Sequence, residues 1–196
     1  MCGISGAVAL GSYEPGWPSI EVVKRMVSTL SHRGPDDSDC WVDPSGRVVL
    51  GHNRLAVVDL SEAGLQPMTS ADGRWTITYN GEIYNIETLR QSLGSVRWRG
   101  HSDTEVLVEH IARHGLSATL KASRGMFAFG CWDSHESELW LARDRFGEKP
   151  LYYVLHKGVV LFASELKALR AVPGFSPEID RQALREYFRW TNVPSQ

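Results

Sequence analysis

The spacing of apolar residues changes several times along this chain. Residues 4–10 form an unbroken run of small and apolar side chains, which predicts a buried strand almost at the N-terminus. After Pro18, the residues Ile20, Val23, Val27 and Leu30 recur at helical spacing, predicting a helix to about His32. Gly34-Pro35-Asp36-Asp37 breaks it. Two turn clusters then precede short apolar runs: Asp43-Pro44-Ser45-Gly46 before 47–50, and Ala71-Asp72-Gly73 before 75–79. Both are hairpin signals. Ser102 and Glu105 have capping-box spacing, and Val106, Leu107, His110 and Ile111 then fall on one face, so a helix begins at Ser102. Strand-like runs follow at 126–132, 139–142, 151–155 and 159–163. Helical patterns follow at 164–171 and 180–189, with Pro173 and Pro177 between them. Strands, helices, strands, helices is an α+β order. It predicts two mostly antiparallel sheets packed face to face with helices outside, rather than a βαβ repeat.

Composition narrows the class. At 196 residues, 42% of them apolar, the chain is long enough for one large domain with its own core. Lys+Arg is 21 and Asp+Glu is 23, a net charge of -2, which argues against a basic nucleic-acid surface. No apolar run approaches the roughly 18 residues that span a bilayer. Met1-Cys2-Gly3-Ile4 has no basic segment ahead of an apolar one, so no secretory signal is read. Cys2, Cys40 and Cys131 share no repeated spacing, so neither a disulfide framework nor a zinc site is read. His110 and His114 stand at i, i+4, but Ile111-Ala112-Arg113 between them lacks the metalloprotease glutamate, and no metal is expected. A soluble, cytoplasmic globular protein is the expectation.

Four features carry candidate chemistry. Cys2 follows the initiator methionine, whose removal its small side chain permits. Thiol and free α-amine would then share one residue. With ordinary pKa values of about 8.5 and about 7.7–8.0, a useful fraction of the amine is unprotonated at neutral pH and can take the thiol proton. This is the N-terminal nucleophile arrangement; the bland alternative is a small apolar second residue. Asn80-Gly81, directly after the predicted strand, offers a side-chain amide and an adjacent backbone N–H for a developing oxyanion, or else is a plain turn. Arg54 sits between apolar residues, where an arginine needs a carboxylate partner or carboxylate ligand. Glu82 and Asp103 are acids that could hold an ammonium, although Asp103 also suits the first turn of a helix for its dipole.

Six stretches then resemble, in order, the glutaminase domain of asparagine synthetase-type enzymes, the class II glutamine amidotransferases. They are Met1–Gly6, Ser31-His32-Arg33-Gly34-Pro35-Asp36, Gly51-His52-Asn53-Arg54-Leu55, Tyr79–Asn85, Ser102-Asp103-Thr104-Glu105 and Phe162-Ala163-Ser164-Glu165-Leu166-Lys167. The resemblance implies a four-layer αββα sandwich of the N-terminal nucleophile hydrolase type. It makes Cys2 the nucleophile with its own amine as base, and Asn80 and Gly81 the oxyanion hole. Arg54, with backbone near Val57 and Val58, would hold the glutamine α-carboxylate. Glu82 and Asp103, with the Gly81 carbonyl, would hold its α-amino group. Arg33 would lie nearby as a supporting residue. One departure is Asp39 in Asp37-Ser38-Asp39-Cys40, where the family usually has a glycine of the kind that serves a positive φ.

In the full enzymes, ammonia passes to an ATP-dependent half that amidates aspartate. The Ser-Gly-Gly-x-Asp-Ser loop of that half is absent here. The expectation is therefore a glutaminase over 1–190, with 191–196 beginning a linker. No cofactor is expected in this chain, since ATP and Mg belong to the synthetase domain, which would be its partner in cis or trans. A homodimer is a further possible assembly; no nucleic acid or membrane partner is expected. The segment from Arg143 to Tyr153 also resembles the family, and reads either as an interface or ammonia path or as a charged turn. The faces of Ala183, Leu184, Tyr187 and Phe188 are expected to dock on the synthetase domain. The rival readings are another class II amidotransferase, serving sugar-phosphate amination or purine synthesis, and a non-catalytic module that binds glutamine or a partner.

Overall fold

A computed structural model describes residues 1–11 and 17–193. Its elements run β1 (Gly3–Ala9), α1 (Ile20–Ser28), β2 (Asp37–Val42), β3 (Val48–Arg54), β4 (Met68–Thr69), β5 (Trp75–Ile83), α2 (Ile86–Ser92), α3 (Asp103–His114), α4 (Leu116–Ala122), β6 (Gly125–Asp133), β7 (Glu138–Arg143), β8 (Tyr152–His156), β9 (Val159–Ala163), α5 (Leu166–Arg170) and α6 (Arg181–Trp190). Two antiparallel sheets result, one ordered β2-β3-β1-β9-β8 and the other β4-β5-β6-β7.

Three apolar clusters define four layers. Ile4, Val8, Val48 and Leu50 of the first sheet meet Ala128 and Trp132 of the second, with Phe162 between them. On the outer face of the first sheet, Val23, Met26 and Val27 of α1 and Ala168 and Leu169 of α5 cover Ala7, Val49 and Leu161. On the outer face of the second, Val106, Leu107 and Ile111 of α3 cover Ile77, Tyr79, Phe127 and Phe129. This is the expected αββα sandwich, and β1 is its early buried strand, hydrogen-bonded on both sides.

Among the described residues, two polar contacts join β3 of one sheet to β5 of the other. Thr78 Oγ1 donates to the Gly51 carbonyl at 3.0 Å, and His52 Nε2 lies 3.2 Å from the Tyr79 carbonyl. They fix how the two strands face each other. Burial lowers the His52 pKa to about 4, against the raising effect of the Tyr79 carbonyl, so the ring is neutral near pH 7.

The structure departs from the sequence expectations at several points. Helix α1 stops at Ser28 rather than near His32. There Ser28 Oγ and Thr29 Oγ1 take the Arg25 and Met26 carbonyls, and the chain tightens through i→i+3 bonds at Leu30 and Arg33. Residues 37–42 form a strand beside β3, and Asp39 lies opposite His52 in that ladder, with no positive φ. Only half of the capping box forms. Ser102 Oγ accepts the Glu105 N–H, but the Glu105 carboxylate turns to the N–H groups of Arg99 and Gly100. Helices α2 and α4, seven residues each, carry too short a pattern to be read by period. Helix α6 has no buried residue, and Leu184, Tyr187, Phe188 and Trp190 are exposed. Residues 194–196 of the expected linker lie outside the described residues. Among the described residues, no helix is long and apolar enough to cross a membrane.

Candidate active site

A cavity of about 260 Å³ opens where the N-terminal end of β1 meets β5. All eight residues singled out from the sequence line it: Cys2, Arg54, Val57, Val58, Asn80, Gly81, Glu82 and Asp103. The volume lies just below the range typical of drug-sized ligands and suits something as small as one amino acid.

Cys2 immediately precedes β1, the central strand of its sheet. Its Sγ accepts the Leu55 N–H at 3.4 Å and faces the Leu55 carbonyl at 3.7 Å. Its own carbonyl accepts Arg33 Nε at 3.0 Å. Arg33 in turn pairs with Glu165 at 2.9 Å, and His32 and Lys167 reach the same carboxylate. Burial pushes the Glu165 pKa up, but the hydrogen bonds from Arg33, His32 and Lys167 outweigh it and hold it at about 2. Arg33 does not line the cavity; it clamps the backbone of the residue that does. Met1 is still joined to Cys2 and lines the cavity, and its Sδ lies 3.2 Å from Lys149 Nζ.

The Asn80-Gly81 pair is not a turn after β5, because the strand continues to Ile83. Side chains alternate along it. Ile77 and Tyr79 pack under α3, whereas Thr78 points across to the other sheet, and Asn80 shares the side of Thr78. Asn80 is 2% exposed, and its Nδ2 has no hydrogen-bond partner among the described residues. Buried amide donors are nearly always paired, and this one, on a residue that lines the cavity, is available to a ligand there.

The backbone of Gly81 has a similar vacancy, and the ladder explains it. Gly81 stands opposite Phe127 of β6. Phe127 N and O are both committed to Asp144, on the far side of β6. Gly81 and Phe127 are therefore a non-hydrogen-bonded pair, and the Gly81 N–H and C=O point away from β6. On that side β4 pairs only with Thr76 and Ile77. Further along, Gln66 Oε1 takes the Tyr79 N–H at 2.7 Å, and Asp103 Oδ2 takes the Ile83 N–H at 3.3 Å. The Gly81 peptide lies between these two clamps, at the cavity wall. Glycine is required there: a Cβ would sit 2.4 Å from the Met126 carbonyl and 2.7 Å from Phe127 Cα.

Arg54, at the end of β3, was expected to need a carboxylate. Instead its Nη2 donates to the backbone carbonyls of Asp59 and Ser61, at 2.5 and 2.8 Å, and it has no ion pair among the described residues. The Arg54 guanidinium, 8% exposed and paired with no acid, brings an uncompensated positive charge to its own side of the cavity. The loop carrying Val57 and Val58 is exposed. Asp59 ties it down by accepting from the His101 N–H and from Ser61, which lower its pKa to about 2. Asp103, the first residue of α3, sits opposite with a raised pKa. Burial is the dominant cause, countered by the Tyr79 hydroxyl at 2.8 Å.

Sequence reasoning missed His52, Asp59, Gln66, Tyr79 and Lys149, all of which line the cavity. The signal for Lys149 was present in the Arg143–Tyr153 segment. There Asp144 collects the N–H groups of Phe146, Glu148 and Lys149, and the resulting turn carries Lys149 into the site at 6% exposure. His110 is used locally, its Nδ1 lying 2.8 Å from Thr119 Oγ1.

Comparisons with known proteins fit this geometry. The model of the family described as "Glutamine amidotransferase domain" matches residues 1–196. Asparagine synthetase [glutamine-hydrolyzing] 3 of Bacillus subtilis (strain 168) is 43% identical over 195 residues, 96% of this chain. A putative asparagine synthetase [glutamine-hydrolyzing] of Mycobacterium bovis is 38% identical over 211 residues, 99% of this chain. The chain spans only 30% and 32% of the lengths of these two relatives. Among solved structures, the glutamine phosphoribosylpyrophosphate amidotransferase from B. subtilis superposes with a TM-score of 0.72 over 87% of this chain and 43% of that one. At 24% identity this speaks to the fold alone.

Proposed function

This chain belongs to the glutamine amidotransferase domain family, and from that premise we propose that it hydrolyses glutamine to glutamate and ammonia through a thioester on Cys2. The observation that carries the reading is a convergence on one cavity: a cysteine thiol, an orphaned Asn80 Nδ2 and an unpaired Gly81 peptide. Removal of Met1 frees the Cys2 α-amine and clears the Met1 side chain from the cavity. Glutamine enters with its α-carboxylate toward the unneutralised Arg54 and its α-ammonium toward Glu82 and Asp103. The Cys2 Sγ–H proton passes to the α-amine as sulfur bonds to the side-chain amide carbon. Asn80 Nδ2 and the Gly81 N–H receive the oxyanion. The amine returns the proton to the departing nitrogen, the C–N bond breaks, and ammonia leaves. Water then adds to the thioester carbon, with its proton taken by the amine, and the C–S bond breaks to release glutamate and the thiol. The two oxyanion donors are each worth about 10²–10³-fold in rate in comparable sites.

The ammonia is intended for an ATP-dependent synthetase domain that amidates aspartate or a related carboxylate, in cis or in trans. The names of the curated relatives and their greater length support this partner. On this reading residues 1–190 are the glutaminase, 191–196 begin the connection, and the chain itself holds neither ATP nor Mg. The exposed apolar face of α6 is a contact for the synthetase domain, a homodimer is a further assembly, and the site of action is the cytoplasm. Ammonia release by the processed chain, equimolar with glutamate, tests the reading. Cys2→Ala should abolish turnover and retain glutamine binding; turnover that survives it refutes the mechanism.

A further inference from the structure

Tyr79 has no part in the bond-breaking steps above, yet among the described residues its hydroxyl is the one side-chain group of β5 that hydrogen-bonds an acid of the cavity. The ring is buried at 2% exposure between β5 and α3, and Tyr79 Oη donates to Asp103 Oδ2 at 2.8 Å. The same oxygen accepts the Ile83 N–H at 3.3 Å. Two donors from one strand therefore seize one oxygen of the Asp103 carboxylate. The carboxylate also takes the N–H groups of Thr104 and of Asp103 itself at the start of α3, and it lines the cavity, so its anchored charge faces a ligand there. A carboxylate at the start of a helix would otherwise turn among its rotamers; here one of its two oxygens is fixed to the neighbouring sheet.

We infer that Tyr79 is a positioning residue that sets the selectivity of the site for an α-amino group, by holding the Asp103 carboxylate in the orientation that receives an ammonium. The inference rests on the reading of Asp103 given above. Its electrostatic setting is consistent with it. The charged and titratable groups sharing the cavity are Glu82 on β5, the N-terminal amine and Cys2 ahead of β1, His52 and Arg54 on β3, Asp59 on the following loop, and Lys149. Burial favours protonation of Asp103, and the Tyr79 hydroxyl opposes it by hydrogen-bonding the charged form. Burial, and then the charge of Asp103, raises the pKa of Tyr79 well above the ordinary value, so it remains a donor throughout the working range.

The test compares glutamine with 4-carbamoylbutanoate, which has the same carboxamide and carboxylate but no α-amine. The processed wild type and Tyr79→Phe are assayed for ammonia release from both. Tyr79→Phe should raise KM for glutamine roughly 10-fold or more, as expected for loss of one hydrogen bond to a charged group, with kcat within about three-fold. It should leave KM for the analogue nearly unchanged, so the preference for glutamine collapses. On the acid side of kcat/KM for glutamine, the lower break, below the one set by the Cys2 α-amine, should move to higher pH, because the charged form of Asp103 has lost a donor. A merely structural role would penalise both substrates equally and leave that break in place; that result overturns the inference while glutaminase activity stands. A wild type that releases no ammonia from glutamine removes the reading of the site and this inference together.

Discussion

Asn80→Leu separates the stability of this protein from its activity. Asn80 Nδ2 is buried and lacks a partner among the described residues. A buried donor left unpaired costs about 1–3 kcal/mol. Leucine has the same branching at Cγ and no polar atom, and the cavity that Asn80 lines gives its methyl groups room. Folding stability by urea denaturation should therefore stay within about 1 kcal/mol of the wild type or rise above it. Catalysis should move the other way. The loss of one oxyanion donor lowers kcat about 10²–10³-fold, equivalent to roughly 3–4 kcal/mol of transition-state stabilisation, with the Gly81 N–H supplying what remains. KM should change little, since the donor acts on the developing charge. Ammonia release measured across glutamine concentrations, beside urea curves on the same samples, reads both quantities. A stability loss above about 2 kcal/mol would mean that Nδ2 was satisfied in the folded state. A kcat within about ten-fold of wild type would remove it from the oxyanion site.

Other changes read neighbouring parts of the account. Gly81→Ala places a Cβ 2.4 Å from the Met126 carbonyl; the β5 backbone must shift, and kcat should fall about 100-fold or more, with a stability cost of about 1–3 kcal/mol in thermal melts. Arg54→Lys keeps the charge but loses the fork that holds the Asp59 and Ser61 carbonyls while facing the cavity; KM for glutamine should rise about 10–100-fold with kcat largely preserved. The His52 pKa is about 4 in the fold against 6.5 for a free ring, so the folded form resists protonation. Its contribution is fully present above pH 6.5 and is lost as pH falls to about 4, a difference of roughly 3 kcal/mol. In His52→Gln, urea stability measured from pH 7 to pH 4 should have a shallower slope, and an unchanged slope would contradict the buried neutral ring.

How far the sequence could be read depended on the kind of information each residue carried. The αββα order was legible because β1, β6 and β9 are long enough to show their burial, and α3 shows its face. Strand β2 was not legible: its first residues follow the Gly34–Asp37 break and read as a loop, because Asp37, Ser38 and Asp39 are exposed and pairing at the sheet edge makes them a strand. Asn80 and Gly81 were legible as chemistry, but not as strand: their Asn-Gly signal means a turn locally, and only pairing with β6 overrides it. Arg54 was rightly marked as a buried charge, but its partners are carbonyls of the following loop, which no residue type announces. Tyr79 and Lys149 look like a core aromatic and a turn lysine in the sequence. Tyr79 meets Asp103, 24 residues away, and Lys149 enters the cavity beside Met1, 148 residues away, and no local pattern encodes these contacts.

The central claim is that one thiol of three is the nucleophile, and the other two serve as controls inside the same molecule. Burial pushes the Cys40 thiol up to about 11 and the Cys131 thiol higher still, so neither has appreciable thiolate at pH 7. The processed chain, incubated at that pH with a diazo-ketone analogue of glutamine and digested for mass spectrometry, should carry one adduct, on the Cys2 peptide, with protection by excess glutamine. An unmodified Cys2, or labelling of Cys40 or Cys131 in its place, would contradict the account.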